Sequence, residues 1–219
     1  MAAQKNTLWM GLMIAFFQFA LAVLAWGGFK SFFSHPAFIA LVVVTLAMMA
    51  VAPFSRGSLS AGAKEDRGNR WVLSVFTVIA ILNAYFPPLT DRLNFLTMDG
   101  DTLRWAGIVL YAAGGALRLY PVFVLGKRFS GLVAIQTGHT LETHSIYSLI
   151  RNPSYLGMII NLIGWQFIFR SSIGLVLVLA LFLTLIARMN AEERLLREHF
   201  GAEYDEYFAR TWRLIPWIY

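Results

Sequence analysis

Apolar stretches recur along the chain, and six of them have the length that a bilayer demands. A membrane-spanning helix needs about 20 mostly apolar residues, range roughly 17–25. Leu8 to Gly28 and Pro36 to Phe54 qualify, both without charge. Trp71 to Pro88 is a third, and the breaker pair Pro87-Pro88 predicts its end. Leu103 to Leu125 is a fourth, with Arg118 inside it. Pro153 to Phe169 and Ser171 to Ala187 follow, separated by Arg170 and its neighbours, and so short a break predicts an antiparallel hairpin. Hydrocarbon offers a backbone N–H or C=O no partner, so each stretch is expected to be helical. The first stretch is longer than the roughly 7–15 residues of a signal-peptide core and is read as a span. The pattern therefore predicts an all-α, polytopic integral membrane protein of about six transmembrane helices. Residues 1–102 form an N-terminal three-span region and residues 103–219 a second membrane region.

Charge orients these spans. With six crossings, one side carries Lys5, the loop from Arg56 to Arg70, the connection from Lys127 to Arg151 and everything from Arg188 onward. Thirteen of the 18 Lys and Arg residues lie there, against Lys30, Arg92, Arg104 and Arg170 on the other side. The positive-inside rule puts the rich side, with both termini, in the cytoplasm of an inner or plasma membrane. The net charge of +6 is then explained by insertion and by anionic lipid. No nucleic-acid motif accompanies it, and no nucleic-acid partner is expected.

Composition agrees. The chain is 14% charged, where an ordinary soluble domain is about 25%, which argues against a water-soluble fold. The absence of cysteine excludes a disulfide framework, a zinc–thiolate site, an iron–sulfur cluster and a cysteine nucleophile. His139 and His144 have no third ligand at a suitable spacing, so no metal is expected. Neither a glycine-rich dinucleotide loop nor a Gly-x-Ser-x-Gly elbow occurs.

Two polar regions remain, both on the basic side. The first runs from Lys127 to Asn152, with a β-prone Leu132–Ile135 and a turn at Gly138. A long structured loop in a compact protein is usually functional. It holds Gln136-Thr-Gly-His139, Thr143-His144-Ser145 and the start of Arg151-Asn-Pro-Ser-Tyr155. The second is the tail from Arg188 to Tyr219. Asn190 with Glu193 three residues on predicts a capped helix start there, and Gly201 its end. Tyr204, Tyr207 and Phe208 at helical spacing, then Trp212, Trp217 and Tyr219, predict a C-terminal helix lying at the membrane interface. The Arg56–Arg70 loop reads as a solvated connection. Arg118 is a functional candidate as an ionisable group inside a span, or a snorkelling anchor. Asn161 and Gln166 read as interhelical hydrogen-bonding groups, and Gly107, Gly114 and Gly115 as close-packing positions.

Taken together, the two polar regions resemble the isoprenylcysteine carboxyl methyltransferase family, which is itself similar to the phospholipid methyltransferases. The matching pieces are Val133-Ala-Ile-Gln136, His139-Thr-Leu141, Tyr147, Arg151-Asn-Pro-Ser-Tyr-Leu-Gly157, Arg188, Glu192-Glu193-Arg-Leu-Leu, Phe200-Gly201, Tyr204, Tyr207 and Ile215-Pro216. They span roughly residues 105–219, so residues 103–219 would be the methyltransferase-like part. The resemblance implies an integral membrane methyltransferase that uses S-adenosylmethionine. It implies a cofactor pocket of Gln136, His139, Thr140, Leu141, Glu142, Tyr147, Asn152, Pro153, Ser154 and Tyr155, held in a cytoplasmic loop. Glu192 would hold the cofactor's amino-acid end and Arg188 would face the methyl acceptor. The acceptor would be a lipophilic small molecule or a lipid-anchored carboxylate. Three positions depart from the family pattern: Asn152 stands where His is usual, Glu142 where an apolar residue is usual, and Ser145 where Gly is usual.

The residues suit those roles chemically. A carboxylate suits an ammonium at a partly desolvated boundary. A guanidinium positions a carboxylate bidentately, and a carboxylate acceptor needs no general base. Purely structural roles are available as well: Arg188 as an insertion anchor, Glu192 and Glu193 as first-turn acids, and Arg151-Asn-Pro as a helix start. Phospholipid N-methylation and a non-enzymatic scaffold or transport role are the competing functions.

Overall fold

The computed structural model describes residues 2–51, 54, 62–136, 138 and 140–219, and the side chains of all of these except residues 2–11 and 127. Each of the six apolar stretches forms a helix: α1 (Ala2–Trp26), α3 (Pro36–Val51), α4 (Trp71–Arg92), α5 (Asp101–Leu125), α6 (Pro153–Ile168) and α7 (Gly174–Phe200). A short α2 (Phe29–Phe33) and the terminal α8 (Ala202–Arg210) complete the set among the described residues. Gly27 and Gly28 turn the chain after α1 at φ 104° and 108°, a region that side chains disfavour. Three segments are long and apolar enough to cross a membrane: Arg67–Arg92, Asp101–Leu125 and Gly174–Phe200. The protein is an integral membrane protein.

Two local signals are overridden by tertiary structure. α4 does not end at Pro87-Pro88 but continues to Arg92. Proline at position 87 cannot donate to the carbonyl of Asn83 four residues back. The indole N–H of Trp165 on α6 donates to that carbonyl instead, at 2.9 Å. Nor does Asn190 start a helix: α7 runs unbroken from Gly174 to Phe200. Residues around it are good helix formers, and the Asn190 side chain accepts a hydrogen bond from Arg213 Nη2 rather than capping a turn. Gly201 does end α7, at φ 57°.

α5 and α6 touch backbone to backbone. A Cβ on Gly107 would lie 2.6 Å from the Ile168 nitrogen, and one on Gly157 would lie 2.5 Å from the Arg118 nitrogen. Cβ atoms on Gly114 and Gly164 would collide with the backbones of Asn161 and Tyr111. Gly115 instead faces Met48 of α3. Asn161 Nδ2 donates across the seam to the Tyr111 carbonyl at 2.7 Å, and on another face of α6 Gln166 Nε2 donates to Asn83 Oδ1 of α4 at 2.7 Å. Gly164→Val is expected to force the helices apart at a cost of about 1–3 kcal/mol, read as a lower thermal midpoint in detergent. An unchanged midpoint would show that the seam can relax.

A first apolar core gathers Ala22, Phe32, Phe38, Leu41, Trp165 and Phe169, joining the N-terminal helices to α6. A second, with Ile79, Leu181, Leu185, Met189 and Leu214, joins α4 to α7 and the tail. At the end where α4 passes to α5, Asp91 is fully buried between two arginines. Arg104 donates to both its oxygens, at 2.5 and 3.0 Å, and Arg170 Nε to Oδ1 at 2.9 Å. Arg104 also reaches the Ile168 carbonyl at 2.7 Å.

The expectation of an all-helical chain needs one addition. β1 (Lys64–Glu65) pairs antiparallel with β2 (Ala134–Ile135), Lys64 opposite Ile135 and Glu65 opposite Ala134. The loop read as a solvated connection is therefore tied down over its described part. Ala63 N–H donates to the Ile135 carbonyl at 2.8 Å and Asp66 N–H to Val133 at 3.0 Å. Lys64 meets Glu198, and Arg194 meets Asp66, at 2.7 and 2.8 Å. Residues 55–61 of that loop lie outside the described residues.

Candidate active site

Arg188 and Glu192 stand one turn apart on α7, so they share a face. Tyr155, in the first turn of α6, meets both. Arg188 Nε donates to the Tyr155 hydroxyl at 2.6 Å, and that hydroxyl donates to Glu192 Oε1. Arg188 Nε also lies 3.3 Å from Glu192 Oε1, and Nη2 donates to the Gly131 carbonyl at 2.7 Å. The Arg188 side chain is only 5% exposed. Such burial is tolerable because the charge is paired and hydrogen-bonded. Both contacts to Glu192 fall on Oε1. Among the described residues Oε2 has no partner, and the side chain is 26% exposed. The cluster thus keeps an accessible anionic oxygen beside a buried, oriented guanidinium.

The preceding loop is organised by Arg128, a residue that the sequence reading passed over. Its Nη1 donates to the Thr140 carbonyl and hydroxyl at 3.2 and 2.8 Å, and Nη2 donates to Glu142 Oε2 at 2.7 Å. Glu142 Oε1 accepts from the His144 N–H at 3.2 Å. Burial alone would raise the Glu142 carboxyl, but the hydrogen bonds from Arg128 and His144 outweigh it and hold it below its ordinary value. A depressed carboxyl adds stability above its unfolded pKa, about 4.3, and loses it as pH falls through the folded value. Amide exchange of residues 140–144 is therefore expected to rise, relative to unstructured peptide, on acidification below the carboxylate range. Glu142→Gln should raise it already at pH 7 and flatten that pH dependence. Wild-type protection in the variant would show that Glu142 does not hold the loop.

Tyr147 is buried, and its carbonyl accepts from the Tyr207 hydroxyl at 2.8 Å. Burial raises its phenol, and the nearby Tyr207, Glu192 and Glu142 add to the effect. It is therefore a neutral hydroxyl at working pH, within electrostatic reach of both glutamates. Tyr204 and Tyr207 are raised in the same way, burial first.

The two adjacent glutamates of α7 do different things. Glu193 sits between Arg151 Nε at 3.3 Å and Arg213 Nη2 at 2.9 Å. Arg151 also donates from Nη1 to the Phe208 carbonyl at 3.1 Å and packs 4.1 Å over the Phe208 ring. The tail pairs with this point, Arg151 N–H to the Trp212 carbonyl at 2.8 Å and Trp212 N–H to Leu149 at 2.9 Å. Neither glutamate lies in a first turn, because α7 begins at Gly174. Arg151 does more than open α6: it locks the tail beneath the site.

The remaining residues implied by resemblance divide. Thr140 and Glu142 share Arg128, and Tyr147, Tyr155, Arg188 and Glu192 form one neighbourhood. Asn152 Nδ2 donates to the Arg213 carbonyl at 3.1 Å, so its amide is turned to the tail. Pro153 is buried as the first residue of α6, and Ser154 Oγ donates to the Arg118 carbonyl at 3.3 Å. Gln136 follows β2 and stands against Gly62. Leu141 is half-buried, and His139 lies outside the described residues. The Arg118 guanidinium is within electrostatic reach of Tyr155 and, among the described residues, has no hydrogen-bonded partner. At the far end of the bundle a concavity of ≈ 540 Å³ at Gly27–Ser34 offers Lys30 as its only ionisable group.

Known proteins resemble this chain in sequence. A rice protein (Oryza sativa subsp. indica) described as a probable protein-S-isoprenylcysteine O-methyltransferase is 31% identical over 163 residues, covering 72% of this chain and 84% of that one. The chain belongs to the isoprenylcysteine carboxyl methyltransferase family. It is a methyltransferase. The Rattus norvegicus protein-S-isoprenylcysteine O-methyltransferase is 33% identical over 149 residues, which is 67% of this chain and 50% of the rat protein. The phospholipid methyltransferase family profile matches residues 102–203, a stretch that holds Tyr155, Arg188 and Glu192. A solved structure of a eukaryotic intramembrane Ras methyltransferase, an isoprenylcysteine carboxyl methyltransferase, shares the fold. It superposes with a TM-score of 0.52 at 24% identity, over 86% of this chain and 64% of the other. The β1 segment of this isoprenylcysteine methyltransferase family member, which pairs with β2 from the first half of the chain, lies outside residues 102–203.

Proposed function

We propose that this enzyme transfers the methyl group of S-adenosylmethionine to the free carboxylate of a prenylated cysteine, on a lipid-anchored protein or a small lipophilic acid. The observation that carries the reading is the Tyr155–Arg188–Glu192 cluster, with a buried, paired guanidinium beside a carboxylate oxygen that remains available. Support comes from the names of the relatives and from the chemistry of the cluster. The chain would cross the membrane six times through α1 and α3 to α7, with both termini in the cytoplasm.

The residues fit the cofactor. When bound, S-adenosylmethionine supplies an electrophilic methyl on a cationic sulfur. Glu192 Oε2 suits its ammonium, and the loop at Thr140, Leu141 and Glu142 with Gln136, His139, Tyr147 and Asn152 to Tyr155 suits the remainder, as the family resemblance implies. Arg188 orients the acceptor carboxylate through its fork, and Arg118 offers a second cation on the bilayer side. The acceptor is already ionised at neutral pH, so the chain needs to align and desolvate it rather than deprotonate it. Phospholipid N-methylation is the second reading, favoured by the family profile that matches residues 102–203. An amine acceptor must first lose its proton, and the Arg188 cation alongside would repel it for as long as it approaches charged.

Calorimetry with S-adenosylhomocysteine tests the cofactor assignment. Wild type is expected to bind, and Glu192→Gln to weaken binding by about 1.5–3 kcal/mol, the range for a hydrogen bond to a charged group. Equal affinities would remove Glu192 from the cofactor site.

A further inference from the structure

Arg188 makes its known contacts through Nε, to Tyr155 and Glu192, and through Nη2, to Gly131. Among the described residues its Nη1 has no bonded partner. A guanidinium held on two arms can still rock about the third, and an acceptor carboxylate would meet a poorly fixed fork. The structure places a support beside it. A cavity of ≈ 10 Å³, large enough for about one water molecule, is lined by Arg188 together with Leu132, Val133 and, from the segment before α4 and its first turn, Glu65, Asp66, Asn69, Arg70 and Leu73.

The acceptors around that cavity can be sorted. Glu65 is committed to Arg70, at 2.7 and 2.8 Å. Asp66 takes Arg194 at 2.8 Å. The Val133 carbonyl takes the Asp66 N–H. Leu73 is apolar. Asn69 is 7% exposed, and its Oδ1 is buried without a hydrogen-bond partner. A buried amide oxygen left unpaired costs about 1–3 kcal/mol, so its position calls for a donor. Asn69 also sits on a braced element: its N–H donates to the Asp66 carbonyl at 3.2 Å, and Asp66 and Ala63 are hydrogen-bonded to the strand that follows Gly131. The Gly131 carbonyl that Arg188 Nη2 uses lies three residues before that strand.

We propose that the segment 63–70, contributed by the first half of the chain, is a positioning element of the active site, and that Asn69 Oδ1 is the acceptor, through one water held in that cavity, for the third arm of Arg188. Asn69 touches neither acceptor nor cofactor; it acts through Arg188. This rests on the reading of Arg188 as the acceptor-orienting residue, and the test separates the two.

Asn69→Leu keeps the size and removes the acceptor; Asn69→Asp keeps the acceptor. With a prenylated cysteine as substrate, Asn69→Leu is expected to lower kcat by about tenfold or more, the loss of one hydrogen bond to a charged group, without changing S-adenosylhomocysteine affinity. Asn69→Asp is expected to stay within a few-fold of wild type. Independently of activity, ¹⁵N-arginine labelling reads the Arg188 guanidinium, identified by its loss in Arg188→Lys. Rotation about its Cζ–Nη1 bond should be slow in wild type and Asn69→Asp and fast in Asn69→Leu. If Asn69→Leu does not fold, Asn69→Ala supplies the same comparison. An Arg188 signal indifferent to residue 69, or Leu and Asp variants altered alike, overturns the proposal. If the signal depends on residue 69 while wild type transfers nothing to the prenylated acid, the positioning stands and the acceptor assignment falls.

Discussion

Arg188→Ala is expected to lower methyl transfer by about 10²–10³-fold, the usual loss when one oriented charge-stabilising donor is removed from an active site, while S-adenosylhomocysteine still binds. The separation follows from geometry. Arg188 shares Glu192 Oε1 with the Tyr155 hydroxyl, and Oε2 remains for a ligand. Removing the guanidinium leaves Tyr155 still donating to Glu192, so the anionic oxygen keeps one of its supports. Arg188→Lys should recover only a small part of the rate, because an ammonium cannot present two parallel donors. Steady-state kinetics with calorimetry on the same preparations decide the matter. Loss of cofactor-product binding in Arg188→Ala, with Glu192→Gln unaffected, would reverse the roles assigned to these two side chains.

Asp91→Ala is expected to cost about 3–5 kcal/mol of folding stability, the range for breaking a buried ion pair by removing one partner. Asp91 is the shared anion for Arg104 and Arg170, and it has no exposed side-chain surface. Without it, the Arg104 guanidinium, 4% exposed, stays buried with the Ile168 carbonyl, a longer contact to Asp101 and the rings of Trp26 and Phe38, and with no close anion to pair it. Arg170, 20% exposed, can turn toward water. The double variant Asp91→Leu with Arg104→Met should recover much of the loss, since apolar groups of similar volume often replace a buried pair at little cost. Thermal unfolding followed by size exclusion in detergent measures both. A single variant that melts with wild type would show that the network does not hold α4, α5 and the α6–α7 turn together.

The helices were legible because hydrophobic length is a local property, and α1 and α3 to α7 each match one apolar stretch. The failures were places where a distant group settles a local choice. Pro87 reads as a stop until Trp165 supplies the donor for the Asn83 carbonyl. Asn190 reads as a cap until Arg213 claims its oxygen. The segment around Lys64 reads as solvated until Val133 and Ile135 pair with it. The buried Asp91 gave no sequence signal at all, since an acid at a helix end is ordinary.

The site shows the same division. Arg188 and Glu192, four apart on one helix, and Tyr155 in its motif could be named from the sequence, and they do meet. Arg128, Asn69 and the Gly131 carbonyl could not. Backbone oxygens carry no side-chain signature, and Arg128 finds Thr140 and Glu142 only because the loop folds back over it.

The central claim is that the Tyr155–Arg188–Glu192 cluster presents a methyl donor to a lipophilic carboxylate. Its most direct test is transfer of label from methyl-labelled S-adenosylmethionine in reconstituted membranes, offered a prenylated cysteine and phosphatidylethanolamine side by side. The account predicts an alkali-labile methyl ester on the prenylated cysteine, absent in Arg188→Ala. Label confined to the phospholipid amine, or undiminished by that substitution, would contradict it.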